Sequence, residues 1–233
     1  MTITETTPSL PFAADDPRGV FLRAWAVATD VASSVGPDRV GDPSPCDEFD
    51  AAAVRAHLLS VGHRVAVLGR GDDPWAVGDE VDAVPGDDWG AAFRAAAEEI
   101  TAAWADDATL ERIITLPWME APGAATLAMH TSETVVHTWD LARATGQSPT
   151  WDDDVVATGF AALQIGLPDE GRIEAFEAAR ANMPEGAEDF VYPFAAAVAV
   201  DDDASGIDRL VAWSGRDPRW TALPRPLRSA PRV

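Results

Sequence analysis

Three side chains on two amphipathic segments have the types and spacing of a metal site. Glu133 and His137 are four residues apart in ETVVHTWDLARA (133–144), so they share one face if this segment is helical. Asp140 follows on that face, which also carries apolar residues, and an unpaired charge facing an apolar interior would cost several kcal/mol. A divalent ion would satisfy these groups, because Glu and neutral His are ordinary ligands of zinc and related ions. For this segment alone, a hydrogen-bonded Glu–His pair that braces a core helix is the alternative.

A third ligand-type residue, His57, lies on another segment with helical periodicity. Apolar residues recur at positions 54, 58, 61, 65 and 68, so His57 stands on an apolar stripe. Taken alone, such a histidine is more often a satisfied core residue than a ligand. With Glu133 and His137 it completes a set of two histidines and one carboxylate, which holds a metal on one side and leaves the other side open for water or substrate.

Four phrases of the sequence, taken in order, resemble a known family. They are PCDEFD at 45–50 with His57 after it, TLPWMEAPG at 115–123, ETVVHTWDLARATG at 133–146 and LVAWSGRDP at 210–218. Together they resemble the metal-binding proteins related to the amino-terminal domain of mycothiol-dependent maleylpyruvate isomerase, a group within the DinB-like superfamily. The resemblance runs from about residue 17 to about residue 220.

The resemblance implies a site and a fold. It implies that His57, Glu133 and His137 are the metal ligands, and that Asp140 occupies the acidic position that is implicated in the isomerase's activity. The implied fold is all-α, a DinB-like four-helix bundle with extra C-terminal helices and room for a short β-hairpin. The isomerase also has a separate carboxy-terminal domain that helps to close its active site, and we expect this chain to be too short to contain one. The resemblance therefore supports the metal site more strongly than the isomerase reaction.

Two further histidines lie near the ligand positions. His130 precedes Glu133 by three residues, so it is either a hydrogen-bond donor or spare ligand of the site, or a plain buried histidine. His63 lies about 240° around its helix from His57 and is expected to point away from the metal.

Other residues near the ligands have simpler interpretations. Cys46 is expected to be a small packed residue, because no activating neighbour stands beside it in the sequence. Arg143 is expected to pair with Asp140 at i,i+3 spacing, and a substrate carboxylate above the metal is its alternative partner. Three tryptophans are candidates for lining a pocket, and these are Trp75, Trp118 and Trp139.

Helix signals divide the chain into the elements that must position these residues. The pattern predicts helices from about Pro17 to Val35, from a cap at Asp50 to Gly69–Gly71, over about 88–105 and from about Ala124 to Ala144, with a strand or hairpin starting near Leu110. Four helices of this length suit an antiparallel bundle in which ligands from two helices meet inside. Farther on we expect a helix over 152–166, a flanking helix within 168–189, a strand or extended segment over 194–200 and a final helix over 207–214.

Composition narrows the class of protein and its partners. The chain has 233 residues, one cysteine, 17 basic and 39 acidic residues, and a formal net charge of −22. This charge would repel phosphate backbones and anionic membranes, so we expect neither nucleic acid nor a membrane as a partner. With no signal peptide or membrane span in the sequence, the expected location is cytoplasmic, and a homodimer is an alternative to a monomer. The expected organisation is a disordered arm (1–16), a single metal-binding domain (17–220) and a Pro-rich tail (221–233).

These features predict a divalent-metal-dependent enzyme that acts on a small molecule. Zinc is the preferred ion, with nickel or iron as alternatives. The resemblance favours thiol-dependent transfer or isomerisation with mycothiol as cosubstrate, and Asp140 would then orient His137 or act as an acid/base. A non-catalytic metal-binding sensor or stress-response module and a metal-hydroxide hydrolase remain alternatives, since the same ligands serve all three functions.

Overall fold

Helices make up most of the regular structure in a computed structural model of the chain. The structure describes residues 16–222 except 79, 82, 117–118, 168–170, 173, 175–176 and 179–193, and it leaves out the side chains of Trp75 and Met119. Nearly all of the predicted arm and tail, and most of the segment 168–189, lie outside the described residues. The helices are α1 (Pro17–Ser33), α2 (Ala51–Arg70), α3 (Trp89–Ala103), α4 (Ala108–Glu111), α5 (Gly123–Thr145), α6 (Asp153–Gly166) and α7 (Gly206–Trp213).

The two helices that carry the candidate ligands have clear start and stop signals. The Asp50 side chain accepts a hydrogen bond from the backbone N–H of Ala53 at 2.9 Å and so caps α2. Both helices end at a glycine in the left-handed region, which an L side chain rarely adopts: Gly71 has φ of 82° and Gly146 has φ of 71°. The predicted bounds of both helices are therefore confirmed to within about one residue.

Four long helices enclose the main core. Helix α1 packs against α3 and α5, and α2 packs against the same two helices. The side chain of Arg112 donates to the carbonyls of Leu68 and Gly69 at the end of α2, and its own carbonyl accepts from the N–H of Gly123 at the start of α5. Helices α2 and α5 therefore run antiparallel. The all-α fold class and the bundle predicted from the sequence are confirmed.

A second apolar layer covers the side of α5 away from α2. Helix α6 packs on α5, and α7 packs on α6. After α7 the chain turns at Gly215, whose φ is 91°, and this turn directs Arg216 back toward the bundle. The predicted helices over 152–166 and 207–214 are confirmed, and the second layer brings the C-terminal part of the described chain to the candidate site.

Two segments differ from their predictions. The region near Leu110 begins as the short helix α4, and only Ile113–Leu116 (β1) and Met119–Pro122 (β2) form the antiparallel hairpin, with Ile113 opposite Pro122. The segment 194–200 forms no strand, because its backbone partner is the end of a helix: Val198 N–H donates to the carbonyl of Ala212. Among the described residues, no helix is long and apolar enough to cross a membrane.

Candidate metal centre

The three predicted ligands meet between α2 and α5. His57 Nε2 lies 3.6 Å from Glu133 Oε1. The ring centroids of His57 and His137 are 4.8 Å apart, with the rings nearly perpendicular at 76°. One ligand atom from each of the three residues lies within 4.8 Å of the other two. Two imidazole nitrogens and a carboxylate oxygen at this separation fit a divalent ion.

Burial is uneven across the three ligands. His137 is 3 % exposed, whereas the side chains of His57 and Glu133 are 12 % and 23 % exposed. The site is therefore closed behind His137 and reaches solvent beside Glu133. A small molecule would approach a bound ion from that side.

The electrostatic setting keeps two of the ligands in metal-binding form. Burial lowers the pKa of His137, and the hydrogen bond to Asp140 offsets this only in part, so the ring is neutral near pH 7. Burial by itself raises the pKa of Glu133, but hydrogen bonding to His57 and nearby positive charge outweigh it and hold the pKa well below its usual range. A neutral imidazole and a carboxylate are the forms that bind metal.

Asp140 holds the other ring nitrogen of His137. Its carboxylate is fully buried, and Oδ2 lies 3.1 Å from His137 Nδ1. When Nδ1 carries the proton and donates to Asp140, Nε2 is left with its lone pair for an ion. Arg216 then neutralises Asp140, with Nη2 at 3.2 Å from Oδ2 and Nε at 3.4 Å from Oδ1.

The expected pairing of Arg143 with Asp140 is wrong. Arg143 Nη2 donates to the carbonyls of Pro218, at 3.1 Å, and Trp220, and the guanidinium lies 5.5 Å from the ring centroid of Trp139. Asp140 faces the bundle interior, whereas Arg143 extends toward the segment after α7.

Arg216 is the site residue that sequence reasoning missed. It lies in the phrase LVAWSGRDP, which was one of the four family-like phrases, but its contact with Asp140 spans 76 residues of chain. Periodicity and spacing report on neighbours within one element, so they give no sign of such a pair.

A second cluster of ligand-type atoms adjoins the first. Cys46, His137 and Asp140 also bring one ligand atom each within 4.8 Å of one another, and all three residues are buried. Arg216 already supplies positive charge at Asp140, so a cation here would meet a buried guanidinium. The set that contains His57 is therefore the better metal site. Burial raises the pKa of the Cys46 thiol, although Arg216 opposes this, as a neighbour that the sequence did not reveal.

The other sequence candidates lie around the centre. His130 is 4 % exposed, and its Nδ1–H donates to the carbonyl of Thr126 at 2.8 Å, so it is a buried histidine one turn from Glu133 and outside the ligand set. His63 points away from the centre, as predicted, with Nδ1 3.4 Å from Glu99 Oε2. Of the three tryptophans, Trp139 is buried in the second apolar layer, while Trp118 and the side chain of Trp75 lie outside the described residues.

Comparison with known proteins finds relatives without an assigned function. Two uncharacterised proteins of Mycobacterium tuberculosis, from strains CDC 1551 / Oshkosh and H37Rv, are each 29% identical to this chain over 149 residues. The aligned region covers 64% of this chain and 78% of each relative. No solved structure matches the chain.

A family match covers the bundle and the candidate ligands. Residues 21–142 match the family described as the mycothiol maleylpyruvate isomerase N-terminal domain, within the DinB-like superfamily. The matched region contains all three candidate ligands and Asp140, whereas Arg216 lies beyond it. The family is metal-binding, and its description suggests a mycothiol-related function. Because the match spans more than half of the sequence, the chain belongs to the mycothiol maleylpyruvate isomerase N-terminal domain family.

Proposed function

We propose that this protein is a divalent-metal-dependent enzyme that uses a small thiol, mycothiol, in a transfer or isomerisation reaction on a small molecule. The observation that carries the proposal is the convergence of His57, Glu133 and His137 at a position open to solvent on one side. Zinc is the preferred ion for two imidazoles and a carboxylate, with nickel or iron as alternatives. Family membership supports the thiol.

Each ligand has a separate part in the proposed site. A divalent ion held there would lower the pKa of a coordinated thiol and present it as a thiolate to an electrophile. Glu133 is the most exposed ligand, so it borders the side from which thiol and substrate enter. His137 closes the opposite side and excludes water from it.

Asp140 acts in this proposal as a positioning residue for His137. Its carboxylate has no exposed surface, and its oxygens are engaged by His137 and Arg216. A group so enclosed can fix the tautomer and orientation of the ring more readily than it can exchange a proton with a substrate. Of the two roles expected for Asp140, burial favours the orienting one.

The setting proposed for the reaction is the cytoplasm, with a small molecule as the partner of the site. A formal charge of −22 disfavours nucleic acid and anionic membranes. The single cysteine is buried and unpaired, as suits a reducing compartment.

Replacement of Asp140 tests the proposed function. Consumption of mycothiol by the zinc-loaded protein should be followed with a panel of electrophiles and cis-unsaturated acids. Asp140→Asn should keep most of the metal and lose roughly 10–100-fold in turnover, because the His137 ring loses its charged partner. The assay should run well below the melting temperature of the variant, since Arg216 is left without its buried counter-charge. Asp153→Asn, at an exposed first-turn carboxylate of α6, is the matched control and should keep full activity.

Inactivity of the metal-loaded wild type across the whole panel would contradict the enzyme proposal. The non-catalytic metal-binding module would then be favoured. Full turnover in Asp140→Asn would instead contradict the positioning role of Asp140.

A further inference from the structure

The antiparallel register of α2 and α5 places a second pair of polar residues in line with the metal ligands. His57 faces His137 across the two helices. Seven residues later on α2 comes Arg64, and seven residues earlier on α5 comes His130. At a rise of about 1.5 Å per residue, both lie about 10 Å along the bundle from the His57–His137 level, in the same direction. Seven residues is close to two helical turns, so each also stays on the face of its own histidine.

The charge of Arg64 acts on this face of the bundle. Arg64 contributes to the low pKa of Glu133 and of His130, which requires that its guanidinium lie near both side chains. Arg64 is partly exposed, and its Nη2 donates to the carbonyl of Gly78 at 3.4 Å. The hydroxyl of Ser60, one turn earlier, donates to the same carbonyl. The segment after α2 thus borders the groove at the level of Arg64.

His130 presents a hydrogen-bond acceptor at the same level. Its Nδ1–H is used by the carbonyl of Thr126, which fixes the tautomer and leaves the lone pair on Nε2. Because the ring is 4 % exposed and burial lowers its pKa, it is neutral near pH 7. A neutral Nε2 accepts a hydrogen bond from a hydroxyl or an N–H group.

We propose that Arg64 and His130 form a second subsite, two helical turns from the metal ligands, which binds the acid group and an adjacent hydroxyl or N–H of an extended substrate. This inference rests on the proposed function and names its substrate class: a molecule with its reacting end at the metal centre and a carboxylate or similar anion about 10 Å away. Arg64 is a specificity-determining residue here, because guanidinium and carboxylate form charge-assisted hydrogen bonds.

Charge supports Arg64 as the anion-binding group of this groove. The chain carries a net charge of −22, so an anionic ligand needs local positive charge to bind at all. The other arginine close to the centre, Arg216, is 6 % exposed and already paired with Asp140. Arg64 is the partly exposed one of the two.

A chain-length series of thiol acids tests the subsite without turnover. Zinc-loaded protein should be titrated calorimetrically with ω-mercaptoalkanoic acids of increasing length and with the matching neutral ω-mercaptoalkanamides. The thiol anchors each probe at the metal centre, so the acid should bind about tenfold more tightly than its amide only once the chain spans about 10 Å. Arg64→Ala should abolish this advantage and leave amide binding unchanged. Arg70→Ala, which removes the arginine paired with Asp72 at the end of α2, should keep the advantage.

The outcomes separate the subsite from the thiol function. Equal binding of acid and amide by the wild type at every length, or an equal loss of both in Arg64→Ala, would overturn the subsite while the thiol function stands. If neither probe bound while zinc was retained, the thiol function would fail, and the subsite with it.

Discussion

His137 is the residue on which the candidate centre depends most, because both of its ring nitrogens have a task. Nδ1 bonds to Asp140, which leaves Nε2 for an ion shared with His57 and Glu133. Arg216 completes this chain of contacts and removes the cost of a buried carboxylate charge. The order of these contacts explains why a carboxylate that is outside the ligand set lies on the ligand face.

The first prediction concerns metal retention. The purified protein should bind about one divalent ion per chain, and Ala at His57, Glu133 or His137 should greatly weaken retention, because a two-ligand remnant holds an ion poorly. Elemental analysis after gel filtration is the measurement. His63→Ala, at the surface histidine of the same helix, is the control and should retain the ion. Full occupancy in the triple Ala variant would show that the ion binds elsewhere.

A second prediction concerns pH and belongs to His130. Burial lowers its pKa in the folded chain below the unfolded value of about 6.5, so the unfolded chain binds the proton more readily. The metal-free protein should therefore lose stability as pH falls from about 7 to 5, and His137 acts in the same direction. The lowered pKa of Glu133 costs stability only below its model value of 4.5, outside this window.

Denaturant unfolding at successive pH values measures this effect. His130→Asn keeps a donor for the Thr126 carbonyl and should flatten the decline. His63→Asn should leave the slope as in the wild type. Identical slopes in all three proteins would exclude His130 as a source of the pH dependence.

Residue types and local spacing carried the prediction of the centre as far as they can. Glu133 and His137 are four residues apart on one helix, so their shared face could be predicted from sequence alone. That His57 joins them was implied by family resemblance, and the structure brings the three together. Arg216 could not be predicted, because its partner lies on another element and no local pattern records the contact.

At the scale of elements, α2 and α5 followed their own signals closely. Asp50, Gly71 and Gly146 act within a single turn of chain, so helix ends of this kind can be predicted from sequence. The segment 194–200 was predicted as a strand or extended segment, but its backbone bond goes to the end of α7. Tertiary packing overrode local propensity there.

An ion between these two helices should stabilise their pairing. His57 lies on α2 and the other two ligands on α5, so the unfolded chain has no preformed site and binding favours the folded state. At an ion concentration about a hundredfold above Kd, the gain is about 2.7 kcal/mol, or roughly 5–10 °C in melting temperature. Chelation should remove this gain, as followed by circular dichroism.

Glu133→Gln separates loss of the ion from other effects of the chelator. The variant keeps the shape of the side chain but not its charge, and its melting curve should respond little to chelator. An unchanged wild-type curve after verified metal removal would mean that the bundle is stable without the ion, which would then serve chemistry alone.

At the scale of the whole molecule, the candidate centre draws on both layers of the fold. The family match ends at residue 142, yet Arg216, which follows α7, reaches the fully buried carboxylate of Asp140. The all-α class was predictable because helical periodicity and caps repeat along the chain. The use of the second layer at the centre was not, since it depends on how two layers pack.

A crystal structure of the zinc-loaded protein soaked with mycothiol tests the central claim most directly. The account predicts one zinc ion bound by His57, Glu133 and His137, with the thiol sulfur as a further ligand at about 2.3 Å. A zinc ion held by other residues would contradict the assigned centre. A zinc ion on these three residues that binds water but no sulfur, at saturating mycothiol, would contradict the thiol chemistry.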